Sequence, residues 1–302
     1  MAVHNALCVS VERHGEVEGG LIEGVFLLAL KYLSAKRDST WVNEVWHLAR
    51  KSSLFRDLKP EQVDMLIASL AVHPRVDVHV EELVAAAASS CPTKVIDFFG
   101  ARLKAKKTSD RAERYEAIPY QLNKLRPLLA SQTNYVVKAA WSWFQEDKQL
   151  FTYRGGRLLS IVYPQWSEEF ESALQRTVDT HERARIEFIV EVLHNYEGEP
   201  FTHSICQRVV DVLPTDDPLL NTIGRVLDAT GVVSGEFGLA EAFRRKKAEI
   251  EPWLQDPREQ VRLFAKRHIL ALEREIATEQ RRGEETLEMR KREYGKNEPN
   301  DA

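Results

Sequence analysis

"WLQDPREQVRLFAKRHILALE", residues 253–273, is the most regular stretch of this chain, and its reading decides the architecture. Asp256 is suited to cap a helix, because its carboxylate can accept a hydrogen bond from the free N–H groups of the first turn. Pro257 follows at the first helical position, where a missing N–H costs nothing and φ is already helical. Val261, Phe264, Ala265, Ile269, Leu272 and Ile276 then recur at helical spacing and form one apolar stripe. Trp253 and Leu254 precede the cap, so an earlier helix ends just before it. Two helices joined by so short a turn are antiparallel neighbours.

A weaker version stands 125 residues upstream, where Leu129, Ser131, Val136, Ala140 and Phe144 fall in the places of Leu254, Asp256, Val261, Ala265 and Ile269. Ser131 is expected to cap as Asp256 does, but Val137 stands in the place of Arg262. A third start is "LPTDDPLLNTIGRVLDATG" (213–231), with Asp217 and Pro218 opening a helix and Gly231 expected just past its end. Helical segments are expected at about 18–35, 40–54, 59–72, 78–90, 93–106, 119–129, 132–146, 149–161, 166–176, 179–196, 201–213, 217–230, 236–254 and 257–290. Prolines 60, 74, 92, 119, 164, 200, 214 and 252 read as helix edges. The nearest approaches to a strand are "RVDVHVEEL" (75–83) and "LCVSVER" (7–13).

Leu254, Asp256, Pro257, Val261, Arg262 and Ala265 resemble the HEAT repeat pattern, L-x-D-P-x-x-x-V-R-x-x-A. In that family the aspartate caps the second helix and the arginine braces the neighbouring turn. A pair of helices cannot bury its own apolar face, so stacked pairs of about 35 to 45 residues form a solenoid. The expected fold is therefore all-α, a right-handed α-solenoid of antiparallel helix pairs built from degenerate HEAT-like repeats. A compact helical bundle is the alternative. The repeat domain is expected over 18–276, after an N-terminal segment (1–17) and before a charged helical extension and tail (277–302) that is solvated and frays.

Composition narrows the class. An apolar fraction of 43% can supply a core, and 29% charged residues suit the large surface of a solenoid. The net charge of −4 argues against a general polyanion binder. Cys8, Cys91 and Cys206 are far apart and odd in number, so neither a disulfide framework nor zinc is indicated, and a reducing cytoplasm fits best. "VFLLAL" (25–30), the longest apolar run, is too short to span a bilayer, and its acidic lead-in is unlike a signal peptide. No polar cap covers the N-terminal end, which makes self-association there one expectation.

Motifs for chemistry are absent. His73, Asp77, His79 and Glu82 lie close in sequence, but Pro74 interrupts them and their spacing matches no ligand motif, so no metal and no cofactor is expected. There is no G-x-S-x-G and no H-E-x-x-H. The glycines of "GGLIEG" (19–24), "YRGGR" (153–157) and "GVVSGEFG" (231–238) read as turns between helices. Binding candidates are two basic clusters and an aromatic. The first cluster holds Arg102, Lys104, Lys106, Lys107, Arg111 and Arg114; the second holds Arg244, Arg245, Lys246 and Lys247. If both faced one concave groove, they could neutralise phosphates and bind with strong salt dependence. Trp141 is a contact if exposed and a core residue if covered.

"PTKVIDFFGARL…YEAIPYQLNKL" (92–125) and "TGVVSGEFGLAEAFRRKKAEIEPWLQDPREQVRLFAKRHI" (230–269) resemble the C-terminal helical-repeat regions of large bacterial proteins, some acting in defence against phage. That resemblance implies a recognition part whose catalysis lies elsewhere. The function expected is thus a non-enzymatic module or scaffold that binds a protein partner. The alternative is a nucleic-acid-binding solenoid similar to HEAT-like alkylpurine DNA glycosylases.

Overall fold

The computed structural model describes residues 42, 46, 59–89, 91–105 and 115–295. The segment 1–17, the helix expected at 18–35, nearly all of that at 40–54, and Lys106, Lys107, Arg111 and Arg114 lie outside these. The described residues are all-helical, with no strand among them, and none of their helices is long and apolar enough to cross a membrane. The chain divides into two compact units, Met1–Ala173 and Leu174–Ala302.

In the first unit α1 (Pro60–Ala71), α2 (Val78–Ala87) and α3 (Thr93–Lys104) follow one another. The helix expected at 78–90 forms at Val78–Ala87, so the alternation around 75–83 makes no strand. Asp77 accepts a hydrogen bond from the Val80 N–H at 2.9 Å and so starts α2. Val80, Leu83, Val84 and Ala87 are then buried at spacings of three and four, which is the helical period. The next helix, α4 (Leu125–Ala130), is far shorter than the expected 119–129, because residues 115–124 run irregularly. The buried Glu81 carboxylate on α2 accepts the N–H groups of Lys124 (2.6 Å) and Leu125 (3.1 Å), so a different helix caps α4 and sets where it begins.

α5 (Thr133–Glu146) corrects the upstream copy of the motif. Ser131 does not cap it; its hydroxyl donates back to the Leu128 carbonyl at 2.8 Å. Val137 is a core residue. This stretch therefore has neither the cap nor the bracing arginine of residues 254–265. α1 packs on α3 and α3 on α5, around Leu66, Leu70, Phe98, Phe99 and Phe144.

Arg102 lies at the centre of this unit with none of its surface exposed. Its guanidinium donates to main-chain oxygens only. Nε reaches the Ala117 carbonyl at 3.0 Å, and Nη1 reaches those of Ala71 (3.1 Å) and His73 (2.6 Å). Nη2 reaches Pro74 at 3.4 Å and also the Glu116 carbonyl. The rings of Phe98 and Tyr115 stand 5.5 and 4.7 Å from its central carbon. Five hydrogen bonds thus tie the end of α1 and the segment at 115–117 to α3. Burial alone pulls the guanidinium pKa down, while the nearby Tyr115 and Glu116 act in the opposite sense.

In the second unit α8 (Glu168–Val178), within which the boundary falls, is followed by α9 (Arg183–Leu193), α10 (His203–Val212), α11 (Pro218–Asp228), α12 (Gly238–Ile250) and α13 (Glu259–Gly295). Lys247 pairs with Glu273 at 2.8 Å and Arg244 with Gln280 at 2.8 Å. Numbers fall along α12 as they rise along α13, so the two helices are antiparallel. A 3-10 segment, Glu251–Gln255, joins them and buries Trp253.

The Asp-Pro starts hold in detail. Asp217 accepts the Leu219 N–H at 2.9 Å with Pro218 in the first turn. Asp256 accepts the Arg258 N–H at 2.9 Å and the Arg258 side chain at 2.8 Å, and Arg262 donates to the carbonyls of Asp256 and Pro257, both at 2.7 Å. Arg262 therefore braces the turn that opens its own helix. Val261, Phe264, Ala265, Ile269 and Leu272 are buried as the spacing requires. Two expectations change. α11 stops at Asp228 and Ala229 is already extended, so Gly231 (φ 66°) belongs to the following turn. The last helix runs past the expected 290: α13 continues unbroken to Gly295. A side chain on Gly283 would stand 2.6 Å from the Phe237 ring, and Arg290 pairs with Glu236, so the extension docks on the turn before α12.

Two outcomes are expected. Arg102→Met should destabilise the first unit by about 3 kcal/mol or more, because several buried carbonyls lose their donors. Arg102→Lys should recover only part of this, since one ammonium cannot span the same oxygens. Guanidinium unfolding read by tryptophan fluorescence checks both. In the second unit, burial depresses the pKa of His203, with Glu249 acting in the opposite sense. The unfolded chain takes up a proton near the ordinary value of about 6.5 while the folded histidine stays neutral to lower pH. Stability should therefore be full above that value and fall as pH drops through it. His203→Gln should flatten the melting temperature between pH 7 and pH 5.5, and an unchanged slope would refute the assignment.

Candidate functional site

α6 (Lys148–Leu150), a π-helical turn (Phe151–Gly155) and α7 (Gly156–Val162) form one continuous run. Gly155 and Gly156, expected as a turn between helices, lie inside it. The cause is Phe151, which is buried with its ring edge-on to Phe144 at 5.7 Å between centroids. A Cβ on Gly155 would stand only 2.7 Å from that ring, so a glycine is what lets the phenylalanine fold against its own following turn. The Gly156 N–H then reaches the Phe151 carbonyl, five residues back. Such an insertion re-aims the side chains around it, and π turns are frequent at functional sites.

Here the turn presents Tyr153, Arg154 and Arg157. Tyr153 and Arg154 stand in the π turn itself, and Arg157 follows at the start of α7. Tyr120, from the irregular segment after Arg102's clamp, lies under the Arg157 guanidinium at 4.0 Å. Tyr120 is 80% exposed and Tyr153 is 81% exposed, more than any packing role requires. Neither arginine has a carboxylate partner among the described residues, and the Arg157 Nη2 is buried without a hydrogen-bond acceptor. Burial raises the Tyr115 pKa, and the charges of Arg102 and Arg154 pull against that. Arg154 therefore lies close enough to act on the tyrosine that covers the clamp.

The basic candidates fare differently. Arg102 is core. Lys104 pairs with Glu146 at 2.9 Å. Lys246 is only 8% exposed and donates to the Gly198 carbonyl (2.6 Å) and to Glu249 (3.0 Å). Lys247 pairs with Glu273 and Glu251, and Arg244 donates to Gln280. Arg245 remains exposed beside Lys246, on a cleft of about 280 Å³ whose rim mixes Glu197, Glu199 and Glu249 with the two cations. Trp141 is half-buried and stacks on Phe144 at 5.8 Å.

The histidine cluster is dispersed into separate local roles. Asp77 caps α2, His73 bonds the Arg75 carbonyl at 2.8 Å, His79 packs on Trp46 at 4.3 Å, and Glu82 pairs with Lys124 at 3.0 Å. No group of three metal-ligating side chains is found among the described residues. Cys206 is buried beside Thr202, and its thiol is pushed up to about 12, which keeps it protonated and unreactive.

Tyr120, Tyr153, Arg154 and Arg157 were not among the sequence candidates. "YRGGR" was legible as a glycine pair, but its aromatic and basic neighbours are brought to Tyr120 only by the fold. Tyr153→Ala should leave unfolding within about 0.5 kcal/mol of the parent, as an exposed site does. Phe151→Ala, two residues away, should cost about 3–5 kcal/mol. Denaturant midpoints of the two variants check this separation of surface from core.

Set against known protein families, characterised proteins and solved structures, the chain matches none.

Proposed function

We propose that this chain is a non-enzymatic recognition module, a right-handed α-solenoid of HEAT-like helix pairs, that binds a protein partner. The observation that carries this reading is the surface of Tyr120, Tyr153, Arg154 and Arg157. Tyrosine and arginine are the residue types that dominate binding energy at protein interfaces. They sit on a rigid helical run and on a clamped segment, so little ordering entropy is lost on association. The Asp217-Pro218 and Asp256-Pro257 starts and the antiparallel packing of α12 on α13 support the repeat architecture. The resemblance to defence-protein repeat regions supports a sensor or regulatory role in the bacterial cytoplasm.

The nucleic-acid reading needed free basic clusters. Arg102 and Lys246 are committed to main-chain oxygens, and Lys104 and Lys247 to carboxylates. Affinity capture from a bacterial lysate, in nuclease-treated and untreated halves, tests the proposal with the parent and with Tyr120→Ala/Tyr153→Ala. A protein should be retained by the parent in both halves, and its affinity should fall about 30-fold or more in the variant. Nucleic acid retained alone and lost as salt rises would overturn the proposal.

A further inference from the structure

Resting on the reading of this surface as a protein-binding site, we infer that it takes an acidic segment of the partner, with side-chain carboxylates held by Arg154 and Arg157 between the rings of Tyr120 and Tyr153. The charge balance is the first argument. Several other cations that the sequence brought forward are committed within the fold, Lys246 to Glu249, Lys104 to Glu146 and Lys247 to Glu273, while Arg245 is exposed beside the carboxylates of Glu197, Glu199 and Glu249. Arg154 and Arg157 stand three residues apart with no carboxylate partner among the described residues, leaving two uncompensated positive charges close together in the chain. A ligand with closely spaced negative groups is the complement.

Geometry is the second argument. Tyr120 covers one face of the Arg157 guanidinium at 4.0 Å, which fixes its plane and leaves the N–H edge to act. One of those donors, on Nη2, is buried and lacks an acceptor within the protein. That atom is closed to solvent and so to a partner, but the side chain as a whole is only half-buried, and a carboxylate can meet its remaining N–H groups through a charge-assisted hydrogen bond. Three residues apart in one helical run, the two guanidinium groups call for acidic groups that are near neighbours in the partner as well.

The ring positions favour a polypeptide. Tyr120 lies against Arg157, and Tyr153 immediately precedes Arg154 in the chain; both rings are exposed and suited to the aliphatic stems and backbone between two acidic side chains. A nucleic acid would require more phosphate-neutralising cations along its track than two arginines supply, and the net charge of −4 opposes it.

The test uses the whole chain and two fluorescent sets of random 12-residue peptides, matched except that Asp and Glu in one are Asn and Gln in the other. A single-stranded oligonucleotide is the competitor. The parent should favour the acidic set at least tenfold. Arg154→Ala and Arg157→Gln should each erode that preference, while Tyr153→Ala should weaken binding with the preference retained. Thermal melts confirm that each variant is folded, and Arg154→Ala serves alone if Arg157→Gln is not. If both sets bind equally and Tyr153→Ala abolishes both, the surface still binds protein and only its acidic specificity is overturned. If neither set binds, or the oligonucleotide displaces the peptides at physiological salt, the acidic segment and the surface reading are overturned together.

Discussion

A buried guanidinium that bonds only to main-chain carbonyls is the constraint on which the first unit depends. Arg102 brings its charge into the core without a carboxylate to neutralise it. Such burial is tolerable only if nearly every N–H finds an acceptor, and the five oxygens of Ala71, His73, Pro74, Ala117 and Glu116 supply them. Those oxygens belong to two stretches that would otherwise present unpaired carbonyls to the interior. One arginine therefore solves two problems of satisfaction together. It also has a consequence at the surface, because the segment it holds at 116–117 continues to Tyr120.

The same logic of satisfying backbone groups recurs in other forms. Glu81 caps α4 from a neighbouring helix, Asp77, Asp217 and Asp256 cap their own, and Arg262 fills the carbonyls of the turn before α13. The acidic caps agree with the positive end of the helix dipole. Long polar α13 is held past its apolar stripe by a different device. Gly283 lets the Phe237 ring approach the helix backbone, and Arg290 pairs with Glu236 farther along. Close approach and charge substitute there for the apolar burial that ends near Ile276.

At the π turn, core packing and surface chemistry are linked through one phenylalanine. Phe151 goes inward against Phe144, Gly155 makes room, and the turn so formed carries Tyr153 and Arg154, with Arg157 just beyond it. Tyr120 arrives from a segment far away in sequence and stacks on Arg157. A rigid core feature thereby fixes the geometry of groups that themselves make almost no contribution to the core. Such separation suits an interaction surface: the two tyrosines are exposed, and the two arginines are half-buried beside them.

Local sequence determined the helical character of the described chain, the Asp-Pro starts at 217 and 256, and the buried stripe from Val261 to Leu272, because caps and a 3.6-residue period are encoded within a few positions. It misled where partners are distant. Ser131 had the right type for a cap and bonds backward instead, and α4 begins where Glu81 reaches it rather than at Pro119. Basic clusters were legible as charge, but which of their members are free was not: Arg102 and Lys246 are indistinguishable in sequence from solvated cations. Only the tertiary structure decided that, since the acceptors that draw them inward, and the ring that stacks on Arg157, lie tens of residues away along the chain.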